Sequence, residues 1–339
     1  MMVSSEPSPS SFRQRFVWAL WEDTGVAVDL RTGTYSLLNP TASAICRLIE
    51  EVTSWEQALR MVATKWQLDD REAQAALKSV VEALREEQRA PVWDAEVAFH
   101  ETNNGLVLSD GGCSVLEIDA TRRTIRRCAP ESGVRLSIEH YLRLFSGKLL
   151  PLLDVPVLHA ATCRTSRGLL AFCGASGSGK STTARLMGNH GASRVSDDLL
   201  VLSVDEAGVR AHPEAEARIF DWCRQVGECL QVDPLGAVPY DSILNAAKAP
   251  GEPLSNILFL SSERRKGTSI HAIPLSLRES LAEVMAVSFL DGRAPERLQA
   301  FLGMCRQISV AVKAELGWMP SGVEALDAAL PTYIAKVTS

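Results

Sequence analysis

The stretch that most constrains this chain is Gly174-Ala175-Ser176-Gly177-Ser178-Gly179-Lys180-Ser181, which stands directly after the apolar run Gly168-Leu169-Leu170-Ala171-Phe172-Cys173. The run reads as a buried strand, and Lys180 onward as the start of a helix. Between them, glycines free the backbone to turn with its N–H groups inward. Strand, glycine-rich turn and helix N-terminus in that order make a concave anion site, because the inward N–H groups and the positive end of the helix dipole face the same point. G-x-x-x-x-G-K-S in that setting predicts a bound nucleoside triphosphate. Gly174, Ser176, Gly177, Ser178 and Gly179 would line the phosphates, with Thr182 beside them on the first helical turn. Lys180 would reach the outer phosphates, and the Ser181 hydroxyl would ligate Mg²⁺.

At 339 residues the chain has room for two or three domains of about 100 to 200 residues each, and 46% apolar content supplies their cores. A net charge of −6 gives no chain-wide basic surface, which argues against a nucleic-acid partner. No apolar stretch approaches the roughly 18 residues that cross a bilayer, so no membrane partner is expected. The eight cysteines form no C-x-x-C pair and no zinc-like spacing with histidine, so they are read as free thiols in a reduced, cytoplasmic protein. Residues 1–12 begin with a Ser- and Pro-rich segment without an apolar core and are expected to be a disordered tail.

Residues 13–90 read as a small α+β module. Val17–Trp21, Gly25–Leu30 and Gly33–Leu38 are expected strands, with Arg31-Thr32-Gly33 as a turn. Asn39-Pro40-Thr41 begins a helix with a capping side chain and an early proline; Ser54 can cap a second helix, and Asp69 or Asp70 a third. Gln88-Arg89-Ala90-Pro91 ends the module. Residues 91–150 are a β-rich segment of short runs with Asn-Gly and Asp-Gly turns, closed by an amphipathic helix over Ile138–Leu153. Beyond the glycine-rich loop come a Leu199–Leu202 strand, a hairpin turn at Asp205–Gly208, and a strand at Asn256–Leu260. Helices near 277–289, 296–304 and 322–330 follow.

The Tyr35-x-Leu37-x-Asn39 segment, Thr41 and Ile45 after it, Asp29 and Gly33 before it, and the spacing of the three helices resemble the PqqD-like family, winged-helix modules that bind leaders of ribosomally made precursor peptides. The resemblance implies a peptide strand laid beside Tyr35, Ser36 and Leu37 and packed against the helix over 72–84. Physically this is edge-strand augmentation.

His159 lies fifteen residues before Gly174 in an apolar strand, and Ser196-Asp197-Asp198 places its first aspartate seventeen residues beyond Lys180. With the glycine-rich loop between them, this constellation over Leu152–Leu202 resembles the HPr kinase/phosphorylase family, whose core is shared with phosphoenolpyruvate carboxykinases. Residues 91–339 would then form an HPr-kinase-like domain using ATP and Mg²⁺. The resemblance makes Asp197 the candidate general base for an acceptor hydroxyl, Asp198 a metal or charge-supporting residue with Ser181, and His159 a partner of a carboxylate or phosphate. It also implies an oligomer. The family's bacterial regulators carry Glu-Ile-Arg-Gly-Leu-Gly after the aspartates. This chain has Glu214–Phe220 instead, which puts a reverse phosphorylase activity in doubt and leaves Arg218 as a candidate for neutralising phosphate charge. Lys248 and Arg264-Arg265-Lys266 are candidates to touch nucleotide or substrate, although the latter cluster reads better as a solvated basic turn.

The expected fold class is therefore α+β and multidomain, a PqqD-like module before a P-loop kinase core. The expected function is phosphorylation of a serine or other hydroxyl on a precursor peptide held by its leader. A nucleotide-gated peptide chaperone and a small-molecule kinase are the other readings.

Overall fold

The computed structural model describes residues 8–21, 24–30, 34–86, 97–102, 105–128, 136–205, 208–234, 236–265, 267–288 and 295–338. Helix and sheet are mixed throughout, and the chain divides into two compact units. The first comprises residues 1–91 and 290–305, the second 92–289 and 306–339. The carboxy-terminal part of the sequence is thus not a single continuous segment, since 290–305 group with the amino-terminal unit.

In the first unit, α1 (Pro9–Arg15) leads into β1 (Phe16–Leu20), β2 (Gly25–Asp29) and β3 (Tyr35–Leu38), an antiparallel sheet in the order β1-β2-β3. The helices α2 (Pro40–Glu51), α3 (Trp55–Trp66) and α4 (Asp70–Glu86) follow. Each begins at a side chain that satisfies an orphan helical N–H: Asn39 accepts from Ala42, Ser54 from Gln57, and Asp69 from Glu72. Glu72 also accepts from the Asp69 N–H, closing a reciprocal capping box, so Asp69 rather than Asp70 is the cap.

The expectation of a disordered tail over residues 1–12 is corrected from residue 8 onward. Ser8 caps α1, Pro9 begins it, and Phe12 is buried with its ring centroid 4.8 Å from Phe16 and 6.1 Å from Trp18. One aromatic residue supplies the apolar anchor that the polar composition hides. Residues 1–7, the turn at 31–33 and the boundary at 88–91 lie outside the described residues.

The second unit contains two sheets. The smaller is antiparallel, in the order β13-β7-β6-β5-β4, from β4 (Val97–Thr102), β5 (Gly105–Asp110), β6 (Cys113–Asp119), β7 (Thr124–Arg127) and β13 (Ala237–Pro239). Its core packs against α5 (Ile138–Leu149), α7 (Ala215–Val232) and α8 (Ile243–Ala247). α5 ends four residues earlier than its apolar pattern predicts, because Pro151 begins a separate 3-10 turn.

The larger sheet holds β8 (Val157–Thr165), β9 (Gly168–Cys173), β10 (Ser193–Ser196), β11 (Leu199–Asp205), β12 (Gly208–His212), β14 (Glu252–Leu260), β15 (His271–Pro274) and β16 (Lys313–Trp318). Its path is β10-β8-β11-β12-β14-β16-β15, with β9 inserted between β8 and β14. β14 runs parallel to β9 and β16, whereas the other pairings are antiparallel. α6 (Lys180–Met187), α9 (Leu277–Val287) and α11 (Val323–Thr338) complete this unit, while α10 (Pro295–Ala311) is divided at Cys305 between the two units. Leu170, Phe172, Met187, Leu258, Leu330 and Tyr333 form the core that fixes β9 and α6.

Candidate functional site

β9, parallel to β14 and antiparallel to β8, delivers the glycine-rich loop, and Gly174, Gly177 and Gly179 all adopt positive φ, at 141°, 74° and 96°. A side chain at Gly174 would come within 2.7 Å of the Leu260 carbonyl on β14. The loop can therefore lie against β14 only because that residue has no Cβ. Gly179 is the N-cap of α6 and supplies no side-chain cap to its first helical N–H groups.

Lys180 is buried, and its Nζ donates to the carbonyls of Gly174 at 2.9 Å and Ala175 at 3.2 Å. Burial holds its ammonium below the usual lysine range, an effect opposed by the Asp198 and Asp197 carboxylates. Ser181 is exposed and Thr182 half-buried on the first turn, while Ser176 and Gly177 are exposed at the loop tip. The Ser178 hydroxyl is buried without a hydrogen-bond partner among the described residues.

The aspartates occupy the turn between β10 and β11. Strand pairing sets Leu199 opposite His159, so His159 Nε2 stands 3.9 Å from Asp198 Oδ1 although the two are far apart in sequence. Desolvation raises the Asp198 carboxyl above its ordinary range, the Asp197 charge raises it further, and Lys180 pulls it back. Asp197 Oδ2 lies 3.3 Å from Arg194 Nη1, and its Oδ1 is buried with no partner among the described residues.

Sequence patterns give Glu216 no role and mark Arg264 foremost as part of a solvated turn. Glu216, on the first turn of α7, is buried, and its carboxylate accepts from the backbone N–H groups of Asp197 (2.9 Å), Asp198 (2.6 Å) and Leu199 (2.8 Å). Burial raises its carboxyl, and those three N–H groups pull it down. Arg264, from the segment after β14, donates from Nη2 to the Ser178 carbonyl at 2.6 Å. Its guanidinium lies where a Gly179 side chain would be, so one member of the expected solvated turn is seated on the glycine-rich loop. Arg265 follows the expectation differently, stacking at 4.3 Å over Trp318, and Lys266 lies outside the described residues.

Arg218 is not joined to the loop by any hydrogen bond or ion pair among the described residues. It donates to the Lys248 carbonyl at 3.2 Å and pairs with Glu214 at 3.5 Å.

Among the described residues no group of three or more His, Cys, Asp and Glu side chains could cage a metal ion. Mg²⁺ is commonly held by one or two protein oxygens together with phosphate oxygens and water. Ser181 and Asp198 would supply the protein part, and the unpartnered Asp197 oxygen leaves a further acceptor at the same turn.

In the first unit, β3 ends the sheet order and packs against α2 and α4. Tyr35 and Ser36 are buried, and Leu37 is half-buried. A peptide at this edge would meet the main chain of β3 more than those two side chains. α4 turns Ala73, Leu77, Val80, Val81 and Leu84 into the core, and its outer face carries the Lys78–Glu82 pair. All eight cysteines are free thiols, and no helix among the described residues is long and apolar enough to cross a membrane.

No curated protein matches the chain at a significant level. Residues 24–88, about a fifth of the chain, match the PqqD family, described as Coenzyme PQQ synthesis protein D. This range runs from the start of β2 through α4, so the amino-terminal unit carries a PqqD-like domain.

Proposed function

We propose that the second unit is an ATP- and Mg²⁺-dependent kinase that phosphorylates a serine or other hydroxyl of a precursor peptide, and that the PqqD-like domain captures the peptide's leader. The observation carrying this reading is the assembly of the glycine-rich loop, Lys180, the Asp197-Asp198 turn and His159 on neighbouring strands. Phosphoryl transfer to a hydroxyl gains from a base that takes its proton.

The loop N–H groups and the start of α6 hold the phosphates. Lys180 exchanges its bonds to the Gly174 and Ala175 carbonyls for the outer phosphate oxygens. Ser181 and Asp198 would hold Mg²⁺, which when bound would neutralise charge on the phosphoryl oxygens. Asp197 accepts the proton of the acceptor hydroxyl, and Glu216 keeps both aspartates in place through their backbone. His159 orients the Asp198 carboxylate, and Arg264 steadies the loop at Ser178. Tethering by the leader raises the local concentration of a floppy acceptor without requiring tight binding at the reacting centre.

The test is incubation of the full chain with candidate precursor peptides and γ-labelled ATP. Label on the peptide that is lost in Asp197→Asn, while leader binding persists, supports the reading. Transfer that survives this substitution removes Asp197 as base. Nucleotide-sensitive leader binding with no phosphopeptide by mass spectrometry would replace the kinase with a peptide chaperone.

A further inference from the structure

Past Leu260 the chain crosses the carboxyl ends of the parallel strands. Ser261 donates its N–H to the Gly317 carbonyl at 2.9 Å and Arg265 donates its own to the Met319 carbonyl at 3.2 Å, so both ends of this short segment are pinned beside the end of β16. The Arg265 guanidinium stacks at 4.3 Å over Trp318, whose ring centroid is 5.6 Å from that of His271. Arg264 lies instead on the glycine-rich loop, at Ser178 and Gly179. It is exposed, its bond to the Ser178 carbonyl engages one of five guanidinium N–H groups, and it has no carboxylate partner among the described residues.

Strand order gives this position a direction. The Asp197-Asp198 turn and His159 stand on the β8 and β11 side of β9, whereas Arg264 and Trp318 stand on the β14 and β16 side. A triphosphate on the loop with its outer end toward the aspartates must carry its nucleoside end away from them, over β14 and β16. Open sheets with parallel strands take ligands outside the carboxyl ends of those strands, and β9, β14 and β16 end together there.

We propose that Arg264 is the nucleoside platform of this site, its guanidinium plane stacking on the face of the nucleobase. The assignment rests on the nucleotide-binding part of the kinase reading and is independent of the acceptor. Arginine suits the contact because its charge is spread over a weakly hydrated plane that stacks on aromatic faces, whereas an ammonium is a strongly hydrated point charge. With Ser261 and Arg265 fixed on either side, little backbone freedom is left for the segment to lose on binding.

The test is calorimetric titration of the full chain with ATP and, separately, with inorganic tripolyphosphate, both with Mg²⁺. Tripolyphosphate keeps the phosphates and lacks the base. Arg264→Lys retains the charge and a donor for the Ser178 carbonyl but loses the planar face. It should weaken ATP about tenfold, the size of a partly desolvated cation–π contact, and leave tripolyphosphate unchanged. Arg264→Ala, which also drops the Ser178 bond, should weaken ATP more than tripolyphosphate. Equal losses for the two ligands in Arg264→Lys would assign the residue to the phosphates and overturn the platform. So would an unchanged ATP affinity in Arg264→Lys, or an unsubstituted chain that binds tripolyphosphate as tightly as ATP. A chain that binds neither ligand overturns the platform together with nucleotide binding. Selective loss of ATP in a protein that transfers no phosphate to peptide supports the platform and removes the kinase reading.

Discussion

Glu216 accepts three consecutive backbone N–H groups with one buried carboxylate, and the Asp197-Asp198 turn has no comparable support elsewhere among the described residues. Leaving a buried donor unsatisfied costs roughly 1–3 kcal/mol. Glu216→Ala should therefore lower the denaturant midpoint and depress phosphate transfer, whereas Glu216→Gln, which keeps an acceptor, should recover part of both. Asp198 gives a pH prediction. Its carboxyl is raised by desolvation and by Asp197, and its ionised form is the one that would ligate Mg²⁺. Mg²⁺-dependent nucleotide binding should then fall as pH drops through a value above the ordinary carboxylate range. Asp197→Asn removes one of the raising charges, so the acid limb should move to lower pH. Fluorescent-nucleotide titrations across pH read this directly, and an unmoved limb would show that Asp198 is not the titrating group.

At the scale of elements, the loop after β9 depends on glycines for two separable reasons. Gly177 has positive φ but open space around it, whereas Gly174 combines positive φ with the Leu260 carbonyl 2.7 Å from any added Cβ. Gly177→Ala should cost only the backbone strain, about 1–2 kcal/mol. Gly174→Ala should cost more and weaken nucleotide binding, because the end of β9 must move away from β14. Paired melting curves and nucleotide titrations distinguish the two. These loop features were legible in the sequence, as were the caps at Asn39 and Ser54 and the hairpin strands, because each is decided within a few residues. α1 was not legible, since its stability comes from Phe12 meeting Phe16 and Trp18 rather than from its own composition. The end of α5 was misjudged because apolar periodicity ran through Pro151 into a 3-10 turn.

For the whole molecule, thiol accessibility separates the folded units from their unfolded states. Cys113, Cys128 and Cys229 are exposed, and Cys46, Cys163, Cys173, Cys223 and Cys305 are buried. Burial also pushes the Cys46, Cys163, Cys173 and Cys223 thiols up to about 12, which suppresses the reactive thiolate. Maleimide should label the three exposed cysteines in the native protein, with Cys128 slower because burial and Glu117 raise its thiol. The buried five should react only on unfolding. Followed by mass spectrometry against denaturant, Cys46 reports the amino-terminal unit and Cys173 the second, so two midpoints reveal independent units.

The sequence by itself determined the strand, glycine-rich turn and helix around Lys180, the two-part organisation and the PqqD-like character of the first part. Those features are written in short-range spacing, where backbone conformation and capping act on near neighbours. Only the tertiary structure decided that Glu216 holds the aspartate turn, that Arg264 sits on Ser178 and that Arg218 bonds Lys248 and Glu214 instead of the loop. The physical reason is distance along the chain. Arg264 and Ser178 are 86 residues apart and meet because β14 lies parallel to β9, and no local pattern records which strands will pair.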